Sequence, residues 1–293
     1  VRKLGYRFER TIARPAEIDG IGFLTGASVH LRFVPAPSGT GLVFLRTDLK
    51  PATPIPARVD QVTGTHRRTT IGKAPNQVAL VEHVLAALAG LRIDNCVIHL
   101  NAPEPPGLDG SALPLVDVLQ GAGTVLQPSR RAIWTVSAPL KLSQNGSTLS
   151  LYPGETELRM TYLLDYGMTS PIGRQSHTQV ISPESFANAV ASSRTFILES
   201  EAADLRRQGL GARTTPADLL VFGRRGPIAN RVRFGNEPAR HKVLDLVGDL
   251  ALFGHDLRGH VVAYRSGHPL NVHLAKTLLR QVPTGNTVSL MAA

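Results

Sequence analysis

The 293-residue sequence contains one cysteine, Cys96. A single thiol excludes an intrachain disulfide framework and any zinc site built wholly of cysteine. Set in the apolar run Asn95-Cys96-Val97-Ile98-His99-Leu100, Cys96 is expected in the core. Nowhere does a stretch approach 18 apolar residues, so no membrane-spanning helix is expected. The opening Val-Arg-Lys-Leu-Gly-Tyr-Arg has no apolar signal core, and a cytoplasmic protein is the default expectation. Acid is scarce: 22 Asp and Glu stand against 32 Lys and Arg, a formal net charge of +10. Such a chain meets polyanions readily, which leaves nucleic acid, an acidic membrane and a phosphorylated substrate all open. Yet the bases are dispersed in short clusters such as Arg206-Arg207 and Arg224-Arg225, and no basic block of five is present. That argues against a nucleic-acid tail.

What the chain does have is 42% hydrophobic residues, with 27 glycines and 21 prolines. This is ample for a real core and suits one large domain or two of about 130–150 residues. Ser28–Pro35 alternates as a half-buried strand should, and Leu42–Arg46 follows a Pro-Ser-Gly-Thr-Gly turn as another strand. Val81–Leu91 carries apolar residues on a helical period. Cys96–Leu100 reads as a strand, a proline-rich loop covers 102–107, and a second helix opens near Leu115–Leu119. Gly121–Arg131 looks like a linker. Beyond it the order recurs: strands over about 132–165, a helix near 239–252, a strand at His260–Tyr264 and a helix at Leu270–Leu279. The reading is therefore α+β, with two halves of similar build, each a sheet layered against helices. The division falls at 1–127 and 128–293, and the stretch near 196–225 reads as an insertion in the second half, a common place for ligand binding.

Three stretches carry candidate chemistry. His241 and Asp245 stand four apart on a helix and so share one face. An imidazole and a carboxylate suit zinc, and His83 fits as a third ligand, leaving one position for water. Glu82, beside His83, is a candidate general base. His268, after Ser266-Gly267, is a candidate acid for a leaving amine. Asp249, two turns beyond His241, is placed to orient that imidazole. Each feature alone has an ordinary explanation: helical His/Asp pairs are common, Glu-His before an apolar run is usually a helix end, and a histidine after Ser-Gly is usually in a turn. The remaining histidines, from His30 to His273, read as surface or strand residues. These residues permit a zinc hydrolase without demanding one.

Longer motifs carry a resemblance. Val81-Glu82-His83-Val84-Leu85-Ala86-Ala87-Leu88-Ala89-Gly90-Leu91-Arg92-Ile93-Asp94-Asn95 resembles the first signature of the UDP-3-O-acyl-N-acetylglucosamine deacetylases, the LpxC family. Ala102-Pro103-Glu104 and Leu108-Asp109-Gly110-Ser111-Ala112 continue in register. Arg240–Leu250 resembles the family's metal-binding helix, Ala263–Asn271 its final catalytic loop, and Ser193-Arg194-Thr195-Phe196 its Ala-Arg-Thr-Phe. The likeness runs from about residue 5 to 280.

It implies two α+β domains with the active site between them, and Zn2+ (with Fe2+ as the alternative in the cell) held by His83, His241 and Asp245. Glu82 would be the base, His268 the acid, and Thr195 an oxyanion donor. Lys242 would lie near the polar part of the substrate, and Asp249 would tune His268 or the metal's surroundings. Phe196, Leu198, Leu210, Gly211 and Arg265 would contact substrate, the insertion forming a passage for the acyl chain. The implied substrate is UDP-3-O-acyl-N-acetylglucosamine, deacetylated on the way to lipid A. No nucleic-acid partner is expected, and the protein is expected to be a monomer.

The sequence departs from the family at three places. Gly22-Phe23-Leu24-Thr25-Gly26 stands where the family has Gly-Leu-His-Ser/Thr-Gly, so a histidine is lost. Arg68 puts a bulky cation where a small residue is common, and Phe196-Ile197-Leu198 replaces a Phe-Gly-Phe-like continuation. These departures motivate an alternative, a divergent paralogue acting on a different N-acyl sugar. A third reading, a basic RNA-binding module without catalysis, gives no reason for the five candidate site residues to occur together.

Overall fold

The alternation seen in the sequence becomes two sheets of the same design. The computed structural model describes residues 1–283. In chain order the first half contains β1 (Arg2–Ile12), β2 (Ala16–Ile21), β3 (Ser28–Pro35), β4 (Leu42–Arg46), β5 (Pro54–Pro56), β6 (Val62–Gly64), β7 (Thr70–Lys73), β8 (Asn76–Val78), α1 (Glu82–Gly90), β9 (Cys96–Leu100) and α2 (Leu113–Ala122). The second contains β10 (Thr124–Thr135), β11 (Leu140–Gln144), β12 (Ser147–Tyr152), β13 (Leu158–Asp165), β14 (Arg174–Val180), α3 (Pro183–Ala189), β15 (Phe196–Leu198), α4 (Glu199–Arg207), β16 (Leu220–Gly223), β17 (Gly226–Pro227), α5 (Glu237–Ala251), β18 (Asp256–Leu257), β19 (Gly259–Tyr264) and α6 (His268–Gln281).

The sheet orders are β2-β3-β9-β4-β5 and β11-β12-β19-β13-β14. In each, a central strand from late in the half pairs antiparallel with one neighbour and parallel with the other: β9 with β3 and β4, β19 with β12 and β13. Strand for strand, the second half repeats the first, as the order of elements suggested, and the fold is α+β. In β3 the alternation buries Val29, Leu31 and Phe33 and exposes Ser28, His30 and Arg32, the pattern of a sheet with one face on the core. The core is continuous across both halves, with Leu31, Phe33, Phe44, Leu85, Leu88, Ile98, Leu149, Tyr162 and Leu244 in one cluster.

Prolines at the first turns of α2, α3, α5 and α6 suit a position whose N–H has no helical acceptor. α1 is buried on nearly every side, and its alanines leave little bulk. It packs against α5, which rests on β13 and β14 with its other side. The approach is close enough that a Cβ on Gly248 of α5 would stand 2.0 Å from the Glu82 carbonyl oxygen. This helix pair joins the two halves at the centre of the molecule.

The stretch 121–131, expected as a linker, is mostly strand. β10 pairs with β1 along nearly its whole length, and β18 adds in parallel. Exposed, polar and lacking a clear alternation, Thr124–Arg131 has the composition of a loop, and its strand conformation comes from a partner more than a hundred residues away. The helix α3, capped by Ser182 and Ser185, was likewise not read from the sequence. The insertion is a small three-stranded sheet, β15-β16-β17, with α4 against it. Cys96 is fully buried and unpaired, as expected. Among the described residues, no helix is long and apolar enough to cross a membrane.

Candidate active site

The start of α1, the middle of α5 and the start of α6 converge on one cavity of about 830 Å³. α1 brings Glu82 and His83, α5 brings His241, Lys242 and Asp245, and the corner between β19 and α6 brings His268. Thr195, Phe196, Leu210, Gly211 and Arg265 also line it. Leu198 does not. At the end of β15 it packs against the core, beside the wall rather than on it. Ile197, Leu205 and Val221 are on the wall instead.

His83, His241 and Asp245 offer ligand atoms all within 4.8 Å of one another. His241 Nε2 lies 3.3 Å and His83 Nε2 3.7 Å from the same oxygen, Asp245 Oδ1. His241 Nδ1 is 3.0 Å from the Ser193 carbonyl, which can only accept, so this nitrogen carries the proton. That directs Nε2 at Asp245 Oδ1, so a proton or a metal ion has to lie between the two. Two buried acceptors facing each other are unfavourable unless a cation lies between them, and a ligand histidine fixed by a carbonyl on its other nitrogen is a usual support of a metal site. The other Asp245 oxygen accepts from Lys242 Nζ at 2.8 Å. Burial disfavours charge on Asp245, but His241 and Lys242 outweigh it and hold the carboxyl well below its ordinary value. Burial lowers His83, keeping the imidazole neutral as a ligand requires. The trio therefore fits a divalent metal.

Glu82 and His268 face each other beside this trio, Oε1 to Nε2 at 3.9 Å. Burial, opposed by His268 and assisted by Asp249 and Asp245, pushes the Glu82 carboxyl up to about 7. His268 moves the opposite way. Burial alone would lower it, but the charges of Asp249 and Glu82 and a 2.8 Å hydrogen bond from Nδ1 to Asp249 Oδ2 raise it to about 9. A base and an acid on either side of one point, with their values pushed apart, suit proton transfer in both directions.

Asp249 thus serves His268 and not His241, whose second nitrogen belongs to Ser193. The i, i+8 spacing suggested the wrong partner because α5 turns Asp249 toward the β19–α6 corner. Two residues without an assigned role complete this arrangement. Thr69 donates its hydroxyl to Asp249 Oδ1 (2.6 Å) and its backbone N–H to Glu82 Oε2 (3.0 Å). Asn271 Nδ2 donates to Asp249 Oδ2 at 2.9 Å. Asn271 could have been found as the residue one turn beyond His268 on the same helix. Thr69 lies in the bend between β6 and β7 and left no local signal.

Thr195 stands on the wall with its backbone N–H bonded to the Gly110 carbonyl at 2.7 Å. Arg194, just before it, forms a buried pair with Glu237 at the start of α5 (2.8 Å), which ties this segment to the ligand helix. The Phe196 ring lies under Lys242 Nζ, 5.4 Å from its centroid, and meets His241 edge to face. Tyr162, on β13, donates its hydroxyl to the Ser266 carbonyl and fixes the turn before His268. Phe23, Leu24 and Arg68, where the sequence departs from the family, all line the cavity.

Comparison with known proteins follows the same line. The family model described as UDP-3-O-acyl N-acetylglycosamine deacetylase matches residues 9–280. The chain is 37% identical over 276 residues to the UDP-3-O-acyl-N-acetylglucosamine deacetylase of Trichormus variabilis, covering 92% of this chain and 98% of that protein. Relatives of the same name from Solibacter usitatus and Chlamydia abortus are each 36% identical over 274 residues, covering 93% of this chain and 92% and 97% of theirs.

Proposed function

The chain belongs to the UDP-3-O-acyl N-acetylglycosamine deacetylase family, and from that premise we propose that it hydrolyses the 2-acetamido group of UDP-3-O-acyl-N-acetylglucosamine. Water and the amide give acetate and the free amine, the step that commits the sugar nucleotide to lipid A. The reading carries with it a cytoplasmic monomer, with the halves dividing at 127/128. It takes zinc as the metal on His83, His241 and Asp245. Two imidazoles and a carboxylate without thiolate suit zinc, and ferrous iron as well. When bound, such an ion supplies Lewis acidity, which acidifies water and polarises a carbonyl.

The protein's own groups supply the proton transfers. Glu82, with a carboxyl near 7, takes the proton from water as it attacks the acetamido carbon. His268, kept protonated by Asp249, gives its proton to the departing nitrogen and makes the amine a viable leaving group. Thr195 Oγ1 donates to the oxygen as negative charge grows there. Lys242, held by Asp245 and by the Phe196 ring, presents positive charge to the polar end of the substrate. Phe23, Leu205, Leu210 and Val221 line the apolar side of the cavity, where a 3-O-acyl chain fits.

The observation that carries this reading is the meeting of Glu82 and His268 at 3.9 Å beside three convergent ligand groups in one cavity. Replacing Glu82 or His268 by alanine is expected to lower kcat by about 10²–10⁴, the usual worth of a general acid or base, with metal content unchanged. Stopped-time acetate release with metal analysis of the same samples checks this. Full activity in either variant removes that residue from the mechanism.

A further inference from the structure

Glu104 lies in the proline-rich loop between β9 and α2, and its side chain takes no part in the chemistry above. It is 1% exposed, and among the described residues no cation forms an ion pair with it. A carboxyl in this state needs donors, because burying it unsatisfied is costly. The donors all come from one short loop between β2 and β3. Leu24 N–H reaches Oε2 at 3.0 Å, and Thr25 N–H and Thr25 Oγ1 each reach Oε1 at 2.7 Å. The loop wraps so tightly that a Cβ on Gly22 would fall 2.4 Å from Glu104 Oε1.

The same loop grips the insertion with its outward carbonyls. Phe23 O accepts from Thr214 Oγ1 at 3.0 Å, Leu24 O from the Gly211 N–H at 3.2 Å, and Gly26 O from Arg213 Nη1 at 2.9 Å. Phe23 and Leu24 on one side, and Leu210, Gly211 and Thr214 on the other, line the cavity. Two of these carbonyls, Phe23 O and Leu24 O, share their peptide planes with the Leu24 and Thr25 N–H groups bound to Glu104, so the carboxyl fixes the planes that hold Thr214 and Gly211. The third plane is held through Thr25, whose hydroxyl bonds Glu104 and accepts from the Ala27 N–H.

We propose that Glu104 is a positioning residue for chain-length selection: by holding the 22–26 loop it sets the segment 210–214, and with it the bore of the apolar passage. It governs which 3-O-acyl chains are accepted and leaves the reacting amide untouched. This rests on the deacetylase reading above. It also gives the Phe23-Leu24 departure a use, since the loop forms apolar wall where the family places a histidine.

The test uses two variants of the whole protein. Glu104→Gln keeps the volume and replaces one acceptor oxygen by a donor; Gly22→Ala retains the carboxyl but displaces it from the loop. Both are assayed on substrates differing only in 3-O-acyl length, with amide hydrogen exchange followed over 205–215 and over α5. Both variants should lose about tenfold in kcat/KM on the longest chain accepted, chiefly through KM, the usual scale for one lost hydrogen bond to a charged group. On the shortest chain kcat should stay within about twofold, and the Gly211 amide should exchange faster while α5 stays protected. Equal losses at every chain length, or unchanged exchange at 210–214 in both variants, overturns the proposal. Wild-type protein that releases no acetate from any substrate overturns the deacetylase reading and the chain-length role with it. The exchange measurement needs no turnover and so separates that failure from failure of the latch.

Discussion

At the scale of single residues, the proposed reaction depends on proton placement. In it His268 must be protonated to serve as acid, and Asp249 holds the proton there against burial. Activity should therefore hold up to about pH 9 and fall as His268 loses its proton. In Asp249→Asn the largest raising charge is gone while the burial remains, so the alkaline limb of the kcat/KM profile should move toward neutral pH by at least one unit, equivalent to about 1.4 kcal/mol. Metal content should be unchanged, because Asp249 does not touch the ligand trio. An alkaline limb that stays at the wild-type position would remove His268 as the titrating acid. Much of this site was legible in the sequence. The Glu82-His83 pair, the i, i+4 spacing of His241 and Asp245, and Ser-Gly-His268 are local patterns, and the long motifs around them set them apart from chance. Thr69 was not legible as a partner, because its meaning lies in bonds to Glu82 and to a residue 180 positions away. Nor was the true partner of Asp249, since helical periodicity gives a residue's face but not what the face meets.

At the scale of elements, the site depends on how closely α5 approaches α1. Gly248 is the residue that permits it, and two opposing effects decide what Gly248→Ala does. Alanine in a helix interior is worth about 1 kcal/mol over glycine. Here its Cβ would sit 2.0 Å from the Glu82 carbonyl oxygen, which is backbone and has no rotamer by which to move aside. Overpacking of this kind costs about 1–3 kcal/mol, and relief requires α5 to shift away from Glu82 and His83. The prediction is a net loss of stability in chemical denaturation, with weakened metal retention, because His83 and its partners His241 and Asp245 stand on different helices. A stabilised variant with full metal content would show that the helices have slack. Both helices were expected close to where they lie, Val81–Leu91 from its apolar period and the second near 239–252. The strand β10 was not, because a polar segment becomes a strand here only through pairing with β1.

At the scale of the whole molecule, two sheets of identical strand order are joined by α1 against α5 and by the β1–β10 ribbon. The ribbon carries its own clasp. Arg7 of β1 bonds Asp94 of the first half and Asp256 of the second, at 2.6 and 2.5 Å, and Arg131 bonds both acids from β10. Arg7 is partly buried between them, and those pairs outweigh the burial and raise its pKa. Arg7→Ala leaves Arg131 as the remaining ion-pair partner of both carboxyls among the described residues, and the unfolding free energy should fall by about 3 kcal/mol, the scale of a broken buried pair. Denaturation followed by far-ultraviolet dichroism should show this as one transition moved to lower denaturant. A midpoint equal to that of the wild type would mean the ribbon is not what holds the halves. The repeat of sheet order was visible in the sequence only as a recurrence of element types, since no residue pattern is shared between the halves. The clasp joins residues up to 249 positions apart and could not be read. Under the proposed function, deacetylation depends on one metal held across the helix pair. This dependence is tested most directly by metal content and acetate release from UDP-3-O-acyl-N-acetylglucosamine, measured together on wild type and His241→Ala. One zinc per chain and acetate release in the wild type, both lost in the variant, is the predicted result. Unaltered zinc content with undiminished release in His241→Ala would contradict it.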